Sequence, residues 1–529
     1  MKHPVAVCAL AELTPDQGHP VTVNGRRLAL FLHEGEVYAL EDRCPHREGQ
    51  LSRGRVEQGE AICPLHGWNF DLETGVSPYN PRDRIATYPC EIRDDRIYVD
   101  AACVEVIPEA SYQGYQGDWR RWDQEARGHA LIRRLAKGGK PWVEAMGEPS
   151  PQLNSLVDFD HFHLKAAQLK RLPRLPEEIA DTSVVIGHGA GKPLRIALPA
   201  YVSHMSFGAL SLEAKVALAR GARRADTLTC SGEGGLLPQE RQAAEQFIFE
   251  MASGYFGWTP DNIRLADAIE IKLGQSAKPG LGGELPGDKV TEAIARVRGI
   301  KPGTPAHSPA RFPDISQSDE LAARIEEIRL LTNGQSPVGI KFVANDVAGD
   351  TAAALSLMPD FITLDGFGGG TGSAPTDVRG AYGMPLAAAL PIARRLIDDH
   401  NTRHPERPVS LIATGGIRTP ADILKAVALG ADACALGTAA LFALGCEYYR
   451  ACGSNECPVG IATQEPELRR RLDPDQGAER VANFFNGTRT ALETYLRIMG
   501  LAYIHHLKRD DLIPLSGEAE RILGSAGTP

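Results

Sequence analysis

Hydrophobic and polar positions fall into distinct textures along the chain. Over residues 1 to about 102, short runs alternate apolar with polar positions, as in VTVNGRRLALFLHEGEVYALEDRC, and Asn24-Gly25 and Gly35 break them. This spacing, with turn residues every eight to twelve positions or so, predicts an all-β domain. From 103 to 165 the pattern turns polar and helical, with Arg, Trp and Leu recurring in WRRWDQEARGHALIRRLAKGGKPW, and predicts a helical linker. From about 195, apolar runs end in turns, several of them glycine-rich: RIALPAYVSHMSFG, DTLTCSGEGG, AIEIKLGQSAKPG, TPAHSPA, PVGIKFVAND, DFITLDGFGGG, VSLIATGGIRT and DACALGTA. Helical stretches such as SLEAKVALARGARR lie between most of them. Eight such units over about 250 residues predict an α/β (β/α)₈ TIM barrel, within a unit spanning 166–475. Residues 476–529 read as a C-terminal helical segment.

Composition narrows the function classes. The 529 residues carry a net charge of -10, against the basic face a nucleic-acid partner requires. The apolar stretch Ala433 to Gly445 is about 13 residues, short of the roughly 18 of a membrane span, and reads as a buried strand and helix. The start, MKHPVAVCALAEL, lacks the pattern of a secretory signal. The expectation is a cytoplasmic protein, in which ten cysteines serve as ligands or buried thiols rather than disulfides.

Two cysteine groups stand out. Cys44-Pro-His46 is followed by Cys63-Pro-Leu-His66-Gly-Trp68. Zinc sites commonly use two Cys and two His, but zinc fingers pair Cys with Cys and His with His on a small ββα unit. Here each pair mixes one of each on two loops of a β-rich domain. The pattern resembles the ferredoxin-type Rieske [2Fe–2S] domain, in which one iron takes two thiolates and the other two imidazoles. The resemblance makes Cys44, His46, Cys63 and His66 the cluster ligands and the domain a one-electron relay. The second group, Cys446, Cys452 and Cys457 before Pro458, follows the last predicted barrel strand and suits a cluster with three protein ligands, or else crowded buried thiols. Cys8, Cys90, Cys103, Cys230 and Cys434 read as core thiols.

In the barrel, Gly415-Gly416 ends one strand and Gly437-Thr438 the next. Glycine there lets backbone N–H groups approach a phosphate, although ordinary tight βα turns use it too. Lys341, ending the apolar run VGIKFVAND, suits either an anionic reduced flavin or a structural ion pair.

The stretches SGEGG, IEIKLGQSAKPGLGGELPGDKV, GGGTG, GTAALFALGC and CPVGIATQ resemble the FMN-binding synthase domain of glutamate synthases over about 155–475. The resemblance implies FMN in the barrel, contacted by Met205, Ser206, Gly208, Ser231, Lys341, Gly369, Gly370, Gly415, Gly416, Gly437 and Thr438. It implies a [3Fe–4S] cluster on Cys446, Cys452 and Cys457. It also makes Lys278 and Arg298 the substrate-holding cations and Glu233 the loop acid. Neither the N-terminal-cysteine amidotransferase nor the C-terminal β-helix of the large enzymes lies within these residues, so ammonia is expected from solution or from a separate amidotransferase subunit.

The expected activity is reduction of the imine of a 2-oxo acid (2-oxoglutarate or a related acid), an oxidoreductase acting on CH–NH₂ groups. Electrons would pass from a one-electron partner such as a ferredoxin to the Rieske cluster, then the [3Fe–4S] cluster, then FMN. Rivals are the reverse oxidation of an amine or amino acid and a non-catalytic electron-transfer subunit. A Rieske oxygenase using Asp158, His161 and His163 is a further rival. Two departures bear on substrate: the family's GGQLPG carries Glu284, and its SPPPHHDI reads SPARFPDI, with Arg311 and Phe312-Pro313.

Overall fold

The computed structural model describes residues 1–45, 49–64, 67–78, 83–104, 129–138 (backbone only at 129–131 and 134), 157–371, 373–374, 382–449 and 451–524. His46, His66 and most of the predicted linker lie outside them.

The N-terminal region is built of short antiparallel strands. Four of them, His19–Val23, Arg26–His33, Glu36–Glu41 and Thr87–Tyr88, form one sheet. Two three-stranded sheets flank it, one joining Pro4–Ala9 to the hairpin Cys90–Arg93/Arg96–Asp100. The other, Arg55–Glu57, Glu60–Ile62 and Asn69–Asp71, positions the second cysteine loop. Alternation along Arg26–His33 buries Leu28 and Leu30 against Ile97 and Val99, while Ala29 and Phe31 belong to the larger core continuous with the barrel.

Eight parallel strands close a barrel: β1 (Ala200–Val202), β2 (Leu228–Cys230), β3 (Gln246–Met251), β4 (Ala268–Lys272), β5 (Val338–Val343), β6 (Phe361–Asp365), β7 (Ser410–Thr414) and β8 (Ala433–Leu436). The β1–β8 pairing Tyr201↔Ala435 seals it. The barrel class is as predicted, but one strand was misassigned. QFIFEM forms β3, whereas TPAHSPA supplies only Ala306–His307, paired with Glu284–Leu285 outside the barrel. Pro305 and Pro309 restrict that segment to two strand residues. The apolar run of β3 is short and interrupted by Glu250, which masks its period.

Helix α1 (His129–Gly138) packs against α3 (Thr438–Leu444) and α4 (Pro474–Ile498), and α4 in turn covers α2 (Leu212–Arg224). Val481, Phe484, Phe485, Leu492 and Leu496 form the buried stripe of α4. The tail beyond α4 is not wholly helical. Leu512–Pro514 pairs antiparallel with Phe162–Leu164, tying the two ends of the barrel unit together.

That pairing also disposes of the oxygenase triad. His161 is buried and 3.0 Å from Asp158 through Nδ1, while His163 faces solvent. Of the five scattered cysteines, Cys230 and Cys434 are core thiols, Cys8 and Cys90 are half-buried, and Cys103 is exposed. Among the described residues, no helix is long and apolar enough to cross a membrane.

Candidate functional site

Charged residues end otherwise apolar strands at the C-terminal mouth of the barrel, and strand register sets them side by side. Glu250 on β3 is the Cα partner of Glu270 on β4, and Lys272 on β4 is the partner of Lys341 on β5. Such burial costs several kcal/mol per charge unless each is paired. Here the pairs are made. Lys272 Nζ lies 2.6 Å from Glu233 Oε2 and 3.6 Å from Glu250 Oε1; Lys341 Nζ lies 3.7 Å from Glu250 Oε2. His204 and Thr363 both engage Glu270. Burial opposes ionisation of Glu233, but Lys272 and the Ser308 hydroxyl outweigh it and hold the carboxyl below its usual range. Glu250 and Glu270 are held low against burial too, Glu250 by Lys272 and Lys341 and Glu270 by His204.

Above this network lies a cavity of about 660 Å³. Lys278 enters it, donating to Ser373 Oγ at 2.8 Å; burial lowers its pKa. Arg298, nine-tenths buried or more, donates through Nη2 to Phe207 O at 2.9 Å, and burial brings its pKa down to about 10. Its Nε, and the buried Ser276 Oγ, meet no protein partner, so both suit an anionic or polar ligand.

The glycine-rich strand ends shape the opposite wall. Gly415 has φ +105°, and a Cβ there would stand 2.3 Å from Gly366 O, so the fold itself demands glycine. Gly437 is different. A Cβ there would meet nothing within 4 Å, so the protein's own packing does not require its bareness, and the open space suits a bound group.

The third wall is the cysteine loop. Cys446, Cys452 and Cys457 all line the cavity. Burial pushes the Cys446 thiol far up, and the neighbouring Cys452 and Cys457 push it further. Three thiols lining one cavity wall suit a metal cluster, which deprotonates its ligands. Tyr448 N–H points at Cys446 Sγ at 3.4 Å. The buried ammonium of Lys289 holds the loop by donating to Cys452 O at 2.9 Å and Ala462 O at 3.1 Å. In the N-terminal region, Cys44 and Cys63 are fully buried in one apolar cluster with Trp68 and Phe70. Cys63 N–H donates to Trp68 O at 2.6 Å and Cys44 N–H to Gly49 O at 2.9 Å.

Most of the sequence-selected barrel residues thus meet in one space: Glu233, Lys278, Arg298, Met205, Ser206, Lys341, Gly369, Gly370, Gly415, Gly416, Gly437, Thr438 and the three cysteines. Gly208 and Ser231 do not line it. Gly208 O accepts from Gln464 Nε2, and Ser231 Oγ accepts from Glu250 N–H at 2.9 Å and donates to Gly232 O, a supporting position. Sequence reasoning missed Lys272, Glu250, Glu270, His204 and Lys289. The first three were visible as charges inside apolar strands; Lys289 left no such signal. Among the described residues no ion pair joins Arg311 to Glu284, and Phe312 is a core residue packed on Tyr255.

Fold and cavity define a parallel α/β barrel with a ligand site at its C-terminal mouth, preceded by a small β domain. Residues 148–502 match the conserved region in glutamate synthase, and residues 3–89 match the Rieske [2Fe-2S] domain. The chain belongs to the glutamate synthase family. It is 40% identical over 333 residues to the archaeal-type glutamate synthase [NADPH] of Thermotoga maritima, covering 63% of this chain and 65% of that relative. It is 37% identical over 408 residues to the glutamate synthase large subunit-like protein of Rhizobium meliloti, covering 74% and 91% respectively. The chain therefore spans a little under two thirds of the archaeal-type relatives it matches.

Proposed function

We propose that this protein is an iron–sulfur flavoprotein that reduces the imine of a 2-oxo acid and ammonia to the amino acid. The observation that carries the reading is one cavity lined by glycine-rich strand ends, two cations with Glu233, and three cysteines. FMN held at the glycine wall supplies hydride transfer, and clusters on the two cysteine groups supply single electrons.

The chain's own residues do the rest. Lys278 and the unpartnered Nε of Arg298 hold the substrate carboxylate. Glu233, kept ionised by Lys272, exchanges a proton with the substrate nitrogen through Oε1 or Oε2. Lys341, only loosely paired with Glu250 at the cavity floor, would place an ammonium beside a bound anionic ring. Condensation of oxo acid with ammonia releases water; the imine then takes up two electrons and two protons. A Rieske cluster on the Cys44 and Cys63 loops would accept single electrons from a one-electron carrier such as a ferredoxin, and a cluster on Cys446, Cys452 and Cys457 would supply them at the cavity wall. Ammonia comes from solution or a separate amidotransferase.

One observation favours a second reading, oxidation of an amine or amino acid. Glu284 lines the cavity close enough to bear on the charge of Lys278, and it disfavours a second substrate carboxylate. Direction is decided by potentials, since about 30 mV is 1.4 kcal/mol for two electrons. The test is anaerobic iron, sulfide and flavin analysis with EPR-monitored redox titration. One FMN with Rieske and [3Fe–4S] signals supports the proposal. Zinc in place of iron overturns the N-terminal assignment, and a Rieske potential far above that of FMN overturns the synthase direction.

A further inference from the structure

The two cysteine-bearing loops, distant in sequence, are locked together by buried side chains. Trp68, whose carbonyl accepts from Cys63 N–H, meets the ring of Tyr449 at 6.5 Å between centroids, with an interplanar angle of 72°. Tyr449 stands between Cys446 and Cys452 in the chain and lines the barrel cavity. Edge-to-face pairs of this kind add modest but directional attraction.

Beside the rings, Arg133 on α1 clasps both loops. Its Nη2 donates to Asn69 Oδ1 at 2.9 Å and lies 2.9 Å from Glu447 Oε1. One guanidinium thus joins the residue after Trp68 to the residue after Cys446. Arg133 and Glu447 are both nearly buried, at 9% and 5% exposure. A buried ion pair contributes little net stability once desolvation is counted, but losing one partner is costly, so such a pair fixes an arrangement. Lys137, one helical turn on, pairs with Glu60 of the Rieske-side sheet. Cys63, Trp68, Tyr449 and Cys457 belong to one continuous apolar cluster.

We propose that Trp68, Tyr449 and Arg133 form a fixed electron junction between the two metal centres, with Arg133 as its positioning residue. One centre gives up a single electron and the other takes it; no bond breaks and no proton leaves. The transfer is internal to the chain. A β domain that swings away to deliver charge would need a solvated, separable contact, and this one is buried and clasped. The inference rests on the reading above that both cysteine groups hold iron.

The test uses the full-length holoprotein under anaerobic conditions. A photoreductant injects one electron, and freeze-quench EPR follows its equilibration between the two centres in wild type, Trp68→Leu, Trp68→Phe and Arg133→Lys. Trp68→Leu is expected to slow equilibration by about tenfold with both signals and potentials unchanged, and Trp68→Phe to restore most of the rate. Arg133→Lys, which keeps the charge but loses the two-sided fork, is expected to slow it as well and serves if Trp68→Leu does not fold. Wild-type rates in both Trp68→Leu and Arg133→Lys, with both signals intact, overturn the junction while leaving the proposed function standing. Absence of either cluster signal from the wild type overturns both.

Discussion

Lys272 Nζ sits 2.6 Å from Glu233 Oε2, joining the end of β4 to the loop after β2. The pair keeps an acid ionised in a place where burial alone would neutralise it. Glu233 thus stays a proton acceptor at the edge of the cavity, and Lys272 is charged and fully committed.

Lys272→Met leaves that carboxylate buried without its cation. The variant is expected to lose about 3–5 kcal/mol of stability, read by denaturant unfolding. The acidic limb of the pH–rate profile should move upward as the Glu233 pKa rises.

Acid should destabilise the barrel in a defined direction. Glu233, Glu250 and Glu270 are all held below their usual range in the folded chain. Between their folded values and about 4.3 the unfolded state binds more protons, so their stabilisation is complete above about pH 4.3 and is lost as pH falls through the folded values. Thermal midpoints recorded from pH 7 downward should hold steady and then drop, and Glu233→Gln should make the drop shallower.

The two glycine positions should separate fold from binding. Gly415→Ala faces the Gly366 carbonyl and a positive φ, and is expected to cost about 1–3 kcal/mol of stability. Gly437→Ala adds a Cβ in space that the protein leaves open, so the flavin-free protein's unfolding midpoint should stay put while flavin affinity falls by about tenfold, or about 1.4 kcal/mol. Equal loss of stability in both variants would contradict the assignment.

Removing ligands should silence the two centres one at a time. Cys457→Ser is expected to abolish the [3Fe–4S] signal while preserving the Rieske signal, and Cys63→Ser to do the reverse. Iron content and EPR of the purified variants check this.

Glu284 is exposed at the cavity rim near Lys278. Glu284→Gln removes a repulsion that solvent partly screens, and is expected to raise kcat/KM for dicarboxylic 2-oxo acids by about tenfold or less, with little change for monocarboxylic ones. A substrate panel on both proteins gives the answer.

The sequence by itself determined the broad plan, because the signals were local. Period-two alternation marked the N-terminal strands, glycine-ended apolar runs marked the barrel, and cysteine spacing marked two cysteine groups. It lost β3, whose apolar run is short and carries Glu250, and over-read TPAHSPA, where prolines limit pairing. Tertiary structure decided what depends on neighbours across the sheet or between domains. The Glu250–Glu270 and Lys272–Lys341 partnerships exist because parallel register aligns residues far apart in the chain. The clasp of Arg133 on Asn69 and Glu447 spans more than three hundred residues, and packing of α1 on α3 and α4 is what brings it about. Charge pairing in a dry interior is set by distance in space, and no periodicity along the chain encodes that distance.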